Sequence, residues 1–344
     1  MAEADLSARL VAQFEAAGAS RIEPGYLQSA EVLLDLYGED IRARAYTTHD
    51  PVHGEQMLRP DFTVPVVHTH MEEHPNDGSE PARYTYAGPV WRRQDYGSTR
   101  AREFWQVGFE LFDGSDPAGA DAEVFALISK ALGGAFKPLT GDLAFLFAAI
   151  SALKTTETRK AALRRHVWRP LRFDRLLARF SGTAPFDCDV RDLPSEIDGT
   201  QVGLRSKDEV LARLDALRAE RETPDLSLEE VACLRSVLSV KGGSVSCVQG
   251  LRAIARDFST LGPAIANMER RLEALAARGV DTDALSFDAS FGRTSMEYYD
   301  GFVFAFEDAA SGGRYDALTR VLGDGKPVPA VGGVIRPGIV EAAL

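Results

Sequence analysis

Apolar and polar residues alternate along "REFWQVGFELF" (102–112), so that Glu103, Trp105, Val107, Phe109 and Leu111 fall on one face of a β-strand. The opposite face carries Phe104, Gln106, Gly108 and Glu110. A buried carboxylate without a partner is costly, so that second face either meets water or holds something. A second strand-like run, "ARYTYAGPVWRRQ", precedes it across the polar loop "DYGSTRA", and the two predict a long antiparallel hairpin. Tyr84, Tyr86, Gly88, Val90 and Arg92 share one face of that first strand. Earlier, "RARAYTTHDPVHGEQMLRPDFTVPVV" predicts two strands and then a helix from about Asp61.

From about 118 to 280 the spacing changes to three and four, in "GADAEVFALISKALGGAF", "GDLAFLFAAISAL", "SKDEVLARLDALRAERE", "SLEEVACLRSVLSV" and "AIANMERRLEALAARG". Strand-like runs return after 285, as "LSFDASFG", "YYDGFVFAFE" and "VPAVGGVI". Strands on both sides of a helical block predict an α+β fold, with 1–117 and 281–344 forming one core and 118–280 a helical insertion and connecting region.

With 45% hydrophobic and 26% charged residues, the 344-residue chain has the composition of a soluble globular protein. Its N-terminus reads as an acidic amphipathic helix rather than a signal peptide. Scattered Cys188, Cys233 and Cys247 suit a reducing compartment and suggest neither disulfides nor a zinc site, so a cytoplasmic location is expected. A net charge of −12 argues against nucleic-acid binding, which needs a basic face. The basic stretch Lys154, Arg159, Lys160, Arg164, Arg165, Arg169 and Arg172 reads foremost as a solvated helix face or a protein contact. His68, His70 and His74 read as a solvated helix end rather than a metal site, and His49 and His53 as loop residues.

Two further segments carry chemistry. Arg59, Pro60, Asp61 and Thr63 sit where an extended segment becomes a helix, a position at which Asp or Thr also serves simply as an N-cap. "MEYYDGFVFAFEDAASGGRYDAL" brings Tyr298, Tyr299, Arg314, Tyr315 and Asp316; its "SGGRYD" lacks the spacing and lysine of a phosphate loop.

Together, "MLRPDFTVPVV", "YTYAGPVWRRQ", "REFWQVGFELF", "EYYDGFVFAF", "SGGRYDAL" and "VPAVGG" resemble the catalytic core of class II histidyl-tRNA synthetases in order and spacing. The resemblance implies a six- or seven-stranded, mostly antiparallel sheet flanked by helices. It also implies a homodimer through the motif 1 segment "IEPGYLQSAEVLLDLYGED", with Pro24 at the dimer-forming proline. It places an amino-acid pocket on Asp61, Thr63, Arg92, Gln106, Glu110, Tyr298 and Tyr299, with Arg314 or Tyr315 lining it. Chemically the set suits free histidine: carboxylates for the ammonium, arginine for the carboxylate, Glu or Tyr for the imidazole N–H.

Four departures separate the chain from a synthetase. The arginine expected five residues before the second tyrosine is Thr294, and Arg293 lies one residue off, which on extended backbone reverses the side chain. That cation would stabilise charge developing on a phosphate, usually a large catalytic term. In motif 3 a gapless reading places Ile339 at the arginine, with Arg336 off register and Pro337 and Gly338 expected to break the helix. Gln94 replaces the motif 2 glutamate. The chain ends at 344, leaving no room for an anticodon-binding domain of roughly 90 residues.

These losses resemble the regulatory subunits of ATP phosphoribosyltransferase, as do "YYDGFVFAFE", "ASGGRYDAL" and the ending "AVGGVIRPGI". That resemblance implies a non-catalytic partner of the short-form catalytic subunit in a hetero-octamer, activating it and conveying feedback by free histidine at the first step of histidine biosynthesis. It implies no tRNA charging; separately, no apolar run approaches the roughly 20 residues of a membrane span, and neither a metal nor a cofactor is expected. Whether inhibitory histidine occupies this pocket or a subunit interface is open at the level of sequence. The alternative is a truncated synthetase-like enzyme that forms histidyl-adenylate.

Overall fold

The long hairpin forms as the alternation predicts, and the rest of the fold is arranged about it. In the computed structural model, which describes residues 3–30, 44–74, 81–184, 203–294, 298–323 and 325–343, β5 (Ala82–Trp91) and β6 (Glu103–Phe112) pair along their whole length. Residues 31–40 of the motif 1 segment, Cys188 and residues 295–297 lie outside the described residues.

The main sheet has nine strands in the order β1 (Ser20–Arg21), β5, β6, β12 (Ala330–Ile335), β11 (Ala310–Arg314), β10 (Phe302–Phe306), β7 (Pro138–Asp142), β9 (Ser286–Asp288) and β8 (Lys241–Gly243). Among the described residues only β1–β5 and β7–β9 are parallel pairs. A second sheet of β2 (Leu27–Ser29), β4 (Gly54–Leu58) and β3 (Thr47–Asp50) lies beside it.

Nine strands exceed the six or seven expected. β1 and β8 are two and three residues long, too short to show alternation. β7 comes from the stretch read as helical. Its Thr140, Gly141 and Asp142 are buried and pair with Val303 and its neighbours, a non-local fit that local spacing does not reveal.

Val107, Phe109 and Leu111 are fully buried under the helices Glu3–Ala16 and Pro117–Leu132, where Phe14 meets Phe109 at 5.5 Å. Helix Pro117–Leu132 has clear local causes. Asp116 accepts a hydrogen bond from the Gly119 N–H at 3.0 Å, Pro117 needs no amide partner at the first position, and Gly133 (φ 61°) closes the helix left-handed. The opposite sheet face is covered by helix Thr63–Glu73 and by helices of the 144–277 stretch.

Helix Thr63–Glu73 starts at the expected place, and although its N-cap, Phe62, supplies no side-chain bond, the Asp61 carboxylate accepts from the Val64 N–H at 3.4 Å. Three expectations need correction. Pro337 opens a helix, Pro337–Ala343, instead of breaking one, because a first-turn proline lacks only an N–H that would be unpaired anyway. His70 is buried, stacked on Phe112 at 3.8 Å, and burial holds its imidazole down at about 4; His68 is half-buried and His74 exposed. Arg159 is also buried rather than solvated, bonded to Glu220 at 2.9 Å and to backbone carbonyls. Among the described residues no helix is long and apolar enough to cross a membrane.

Candidate functional site

The hairpin register sets Gly88 beside Gln106, Tyr86 beside Gly108 and Tyr84 beside Glu110, while Gly332 of β12 flanks Glu110 on the other side. The glycines between the polar residues are therefore steric requirements. A Cβ on Gly108 would overlap the Tyr86 ring, and one on Gly332 would overlap the Glu110 carboxylate. Tyr86 is left free to lie across the sheet, stacked on Phe62 at 4.3 Å with the ring planes 8° apart.

Glu110 is wholly buried and accepts three hydroxyl hydrogen bonds: from Thr63 at 3.0 Å, Tyr86 at 2.8 Å and Tyr315 at 2.5 Å. Burial pushes its carboxyl up to about 7, and the Asp61 charge pushes the same way, although the hydroxyls favour ionisation. Burial, and then Glu110, raises the Tyr86 and Tyr315 phenols, keeping both as donors.

Beside them Gln106 is 1% exposed, and its Oε1 has no hydrogen-bond partner. Such a carbonyl carries a cost of about 1–3 kcal/mol unless a donor reaches it. Burial, and then Glu110 and Asp61, raise the Tyr299 phenol, while its hydrogen bond with Tyr298 and the Arg92 charge oppose them. Tyr298 packs against Tyr299 and Tyr315, at 4.9 and 6.0 Å between centroids. Arg92 donates to the Pro60 carbonyl at 2.9 Å and lies over Phe104.

Asp61, Thr63, Arg92, Gln106, Glu110, Tyr298, Tyr299 and Tyr315 are thus gathered about one face of the sheet. Arg314 is not among them. Its guanidinium bonds to Asp121 at 3.0 Å, Asp316 at 3.0 Å and the Pro117 carbonyl at 2.8 Å. Asp121 also pairs with Arg271, which reaches Asp142 at 2.7 Å, so Arg314 belongs to a buried ion network. An open cavity of about 650 Å³, lined in part by Phe125, Lys130, Arg278 and Leu285, lies beside helix Pro117–Leu132 and touches none of the gathered residues. The chemistry marks the Glu110 cluster as the candidate site instead.

Sequence reasoning missed Tyr86, although its place opposite Gly108 was implicit in the hairpin register. It also missed the role of Arg59, which donates to the carbonyls of Pro24 at 2.6 Å and Pro89 at 3.1 Å and lies 3.8 Å over Phe62. Trp168, whose Nε1 donates to the Tyr299 carbonyl at 3.2 Å, gave no local signal.

At the departures, residues 289–294 form turns rather than the extended backbone expected. Thr294 is exposed. Arg293 is buried, donates from Nε to the Val167 carbonyl at 3.0 Å and stacks 4.8 Å over Phe173. Its charge is thereby committed to the helical region. Arg336 lies 5.5 Å over Phe104, and burial together with Arg92 and Arg100 disfavours its charge. Gln94 is half-buried and donates to the Ala101 carbonyl. The cluster can therefore offer acceptors to an ammonium or an imidazole and a cation to a carboxylate.

The sequence profile of the family "Histidyl-tRNA synthetase" matches residues 1–223. Two curated relatives are named ATP phosphoribosyltransferase regulatory subunit. That of Rhizobium rhizogenes is 30% identical over 98% of this chain and 97% of its own. That of Allorhizobium ampelinum is 33% identical over 95% of this chain and 94% of its own. Among solved structures, a Bacillus halodurans protein described as an ATP phosphoribosyltransferase regulatory subunit/histidyl-tRNA synthetase superposes with a TM-score of 0.69 at 23% identity, covering 99% of this chain and 78% of that one. Histidyl-tRNA synthetase from Nostoc gives a TM-score of 0.64 at 16% identity, over 99% and 70%. At those identities the structures speak for the fold alone.

Proposed function

Because the chain belongs to the ATP phosphoribosyltransferase regulatory subunits, a family with the histidyl-tRNA synthetase fold, we propose that it binds free histidine at the Glu110 site without activating it. In this reading it is a non-catalytic cytoplasmic subunit. It pairs with itself through the segment around Pro24 and with the short-form catalytic subunit in a hetero-octamer, activates that subunit and conveys histidine feedback at the first step of histidine biosynthesis.

The observation that carries the reading is a contrast. Recognition groups are gathered around Glu110, while the cation beside the tyrosine segment, Arg293, is bound to Val167 and Phe173. In the site, Asp61 and the Gln106 carbonyl accept from the ammonium, Arg92 meets the α-carboxylate, and Glu110 with its tyrosines receives the imidazole. A ligand held but not consumed shifts its protein between states only by its difference in affinity for them, typically 1–3 kcal/mol.

The test is to purify the chain with a short-form catalytic subunit and assay ATP phosphoribosyltransferase activity with and without histidine. Stimulation by the chain, reversed by histidine, is expected; no complex and no stimulation would overturn the proposal. Arg92 and Arg336, both over Phe104, are the one feature favouring an adenylate-forming enzyme instead. Histidine-dependent ATP–pyrophosphate exchange would decide for that alternative.

A further inference from the structure

Helix Pro170–Phe180 turns Phe173, Leu177 and Phe180 into the core and leaves Leu171, Arg172 and Arg175 exposed, Leu171 at 78%. Among the neighbouring cations, Arg159 pairs with Glu220, and Lys160 and Arg164 pair with Glu157. Among the described residues Arg172 and Arg175 have no carboxylate within 4.0 Å, in a chain with 51 acidic and 39 basic residues. An unshielded apolar side chain beside arginines that no described carboxylate meets is suited to a partner's carboxylates set around an apolar depression.

The inner side of this helix is tied to the candidate site. Val167, just before it, accepts from Arg293, and Phe173 lies under the same guanidinium. Trp168 donates to the Tyr299 carbonyl. The corner from which the helix begins is thus in direct contact with Tyr299 and Arg293.

We propose that the outer face of Pro170–Phe180, around Leu171, Arg172 and Arg175, is the docking surface for an acidic face of the catalytic partner, and that Trp168 and Arg293 connect this surface to the Glu110 site. The identity of the partner rests on the preceding reading. A protein fits better than a nucleic acid. Two arginines neutralise about two phosphates, which supplies little of a backbone-directed grip, while Leu171 gains nothing from phosphate and Asp174 on the same helix repels it.

The test uses the full chain carrying Arg172→Glu and Arg175→Glu. Binding to the catalytic subunit is measured by calorimetry at low and high salt, and histidine binding is measured on the chain alone. Affinity for the partner is expected to fall at least tenfold at low salt and to lose most of its salt dependence, with histidine affinity unchanged. An unchanged complex would overturn the inference, as would loss of nucleic-acid binding with the complex intact. If the unaltered chain forms no complex at all, the proposed function itself fails. Trp168→Phe keeps the ring but removes its N–H. It should retain both binding events within about threefold while weakening the effect of histidine on the complex; undiminished coupling would refute the connection.

Discussion

Replacing Glu110 with glutamine isolates the cost of the buried carboxylate. Its carboxyl is pushed up to about 7 from an ordinary 4.5, primarily by burial. The folded state therefore holds this proton more tightly than the unfolded state. The associated stability is complete below about pH 4.5 and is lost as pH rises through about 7, corresponding to about 3 kcal/mol once the group is fully ionised. Glutamine does not titrate, and the site can accommodate it. Its oxygen can accept from Thr63 and Tyr86, and its amide can donate to the Tyr315 hydroxyl. Urea unfolding of both proteins at intervals from pH 5 to 8.5 should show the variant gaining on the wild type through that window, by up to about 3 kcal/mol, and then levelling off. Asp300, also pushed up to about 7 by burial and by Asp316, titrates in the same range but is common to both proteins and cancels in the difference. A stability difference that stays constant from pH 5 to 8.5 would show that no charge is being buried at Glu110.

Gln106→Ala should weaken histidine binding at least tenfold in calorimetry while the chain stays folded, since the carbonyl it removes has no partner within the fold; undiminished affinity would place the ligand elsewhere. Gly108→Ala drives a methyl into the Tyr86 ring and should cost about 1–3 kcal/mol in urea unfolding. Far from the site, Arg271→Met leaves Asp142 buried without its cation and should cost about 3–5 kcal/mol, a loss also read by denaturant unfolding.

What could be read in advance followed from locality. The two faces of the 102–112 strand, the hairpin and the apolar underside are consequences of alternation within one segment. Tyr86 required one further step, setting the two strands in register, because only then does it lie opposite Gly108. His70 was legible too. It falls three and four residues after Val67 and Val66 on the buried side of its helix, and its nearness to His68 and His74 obscured that. Arg314 and Tyr315 were expected to share a pocket, but consecutive residues at a strand end project to opposite sides, and only Tyr315 reaches Glu110. β7, Gly332 and Trp168 could not be found this way. Each is defined by a partner more than a hundred residues distant, Val303 for β7, Glu110 for Gly332 and Tyr299 for Trp168.

The fate of Arg293 bears on how recognition and activation separate within one fold. Recognition groups on β6 and beside Tyr315 are fixed by strand register and by mutual hydrogen bonds, so they persist whatever happens near residue 294. An activating cation has no such support. It must be held, largely unpaired, where charge develops, and that arrangement is costly in a buried site. Here the nearby cation has a backbone carbonyl and an aromatic ring as partners, and burial still disfavours its charge. The same contacts that remove this cation from the site join the tyrosine segment to the helical corner. In the proposed reading, one substitution in register withdraws the activating charge and supplies a mechanical connection through which binding alone can act.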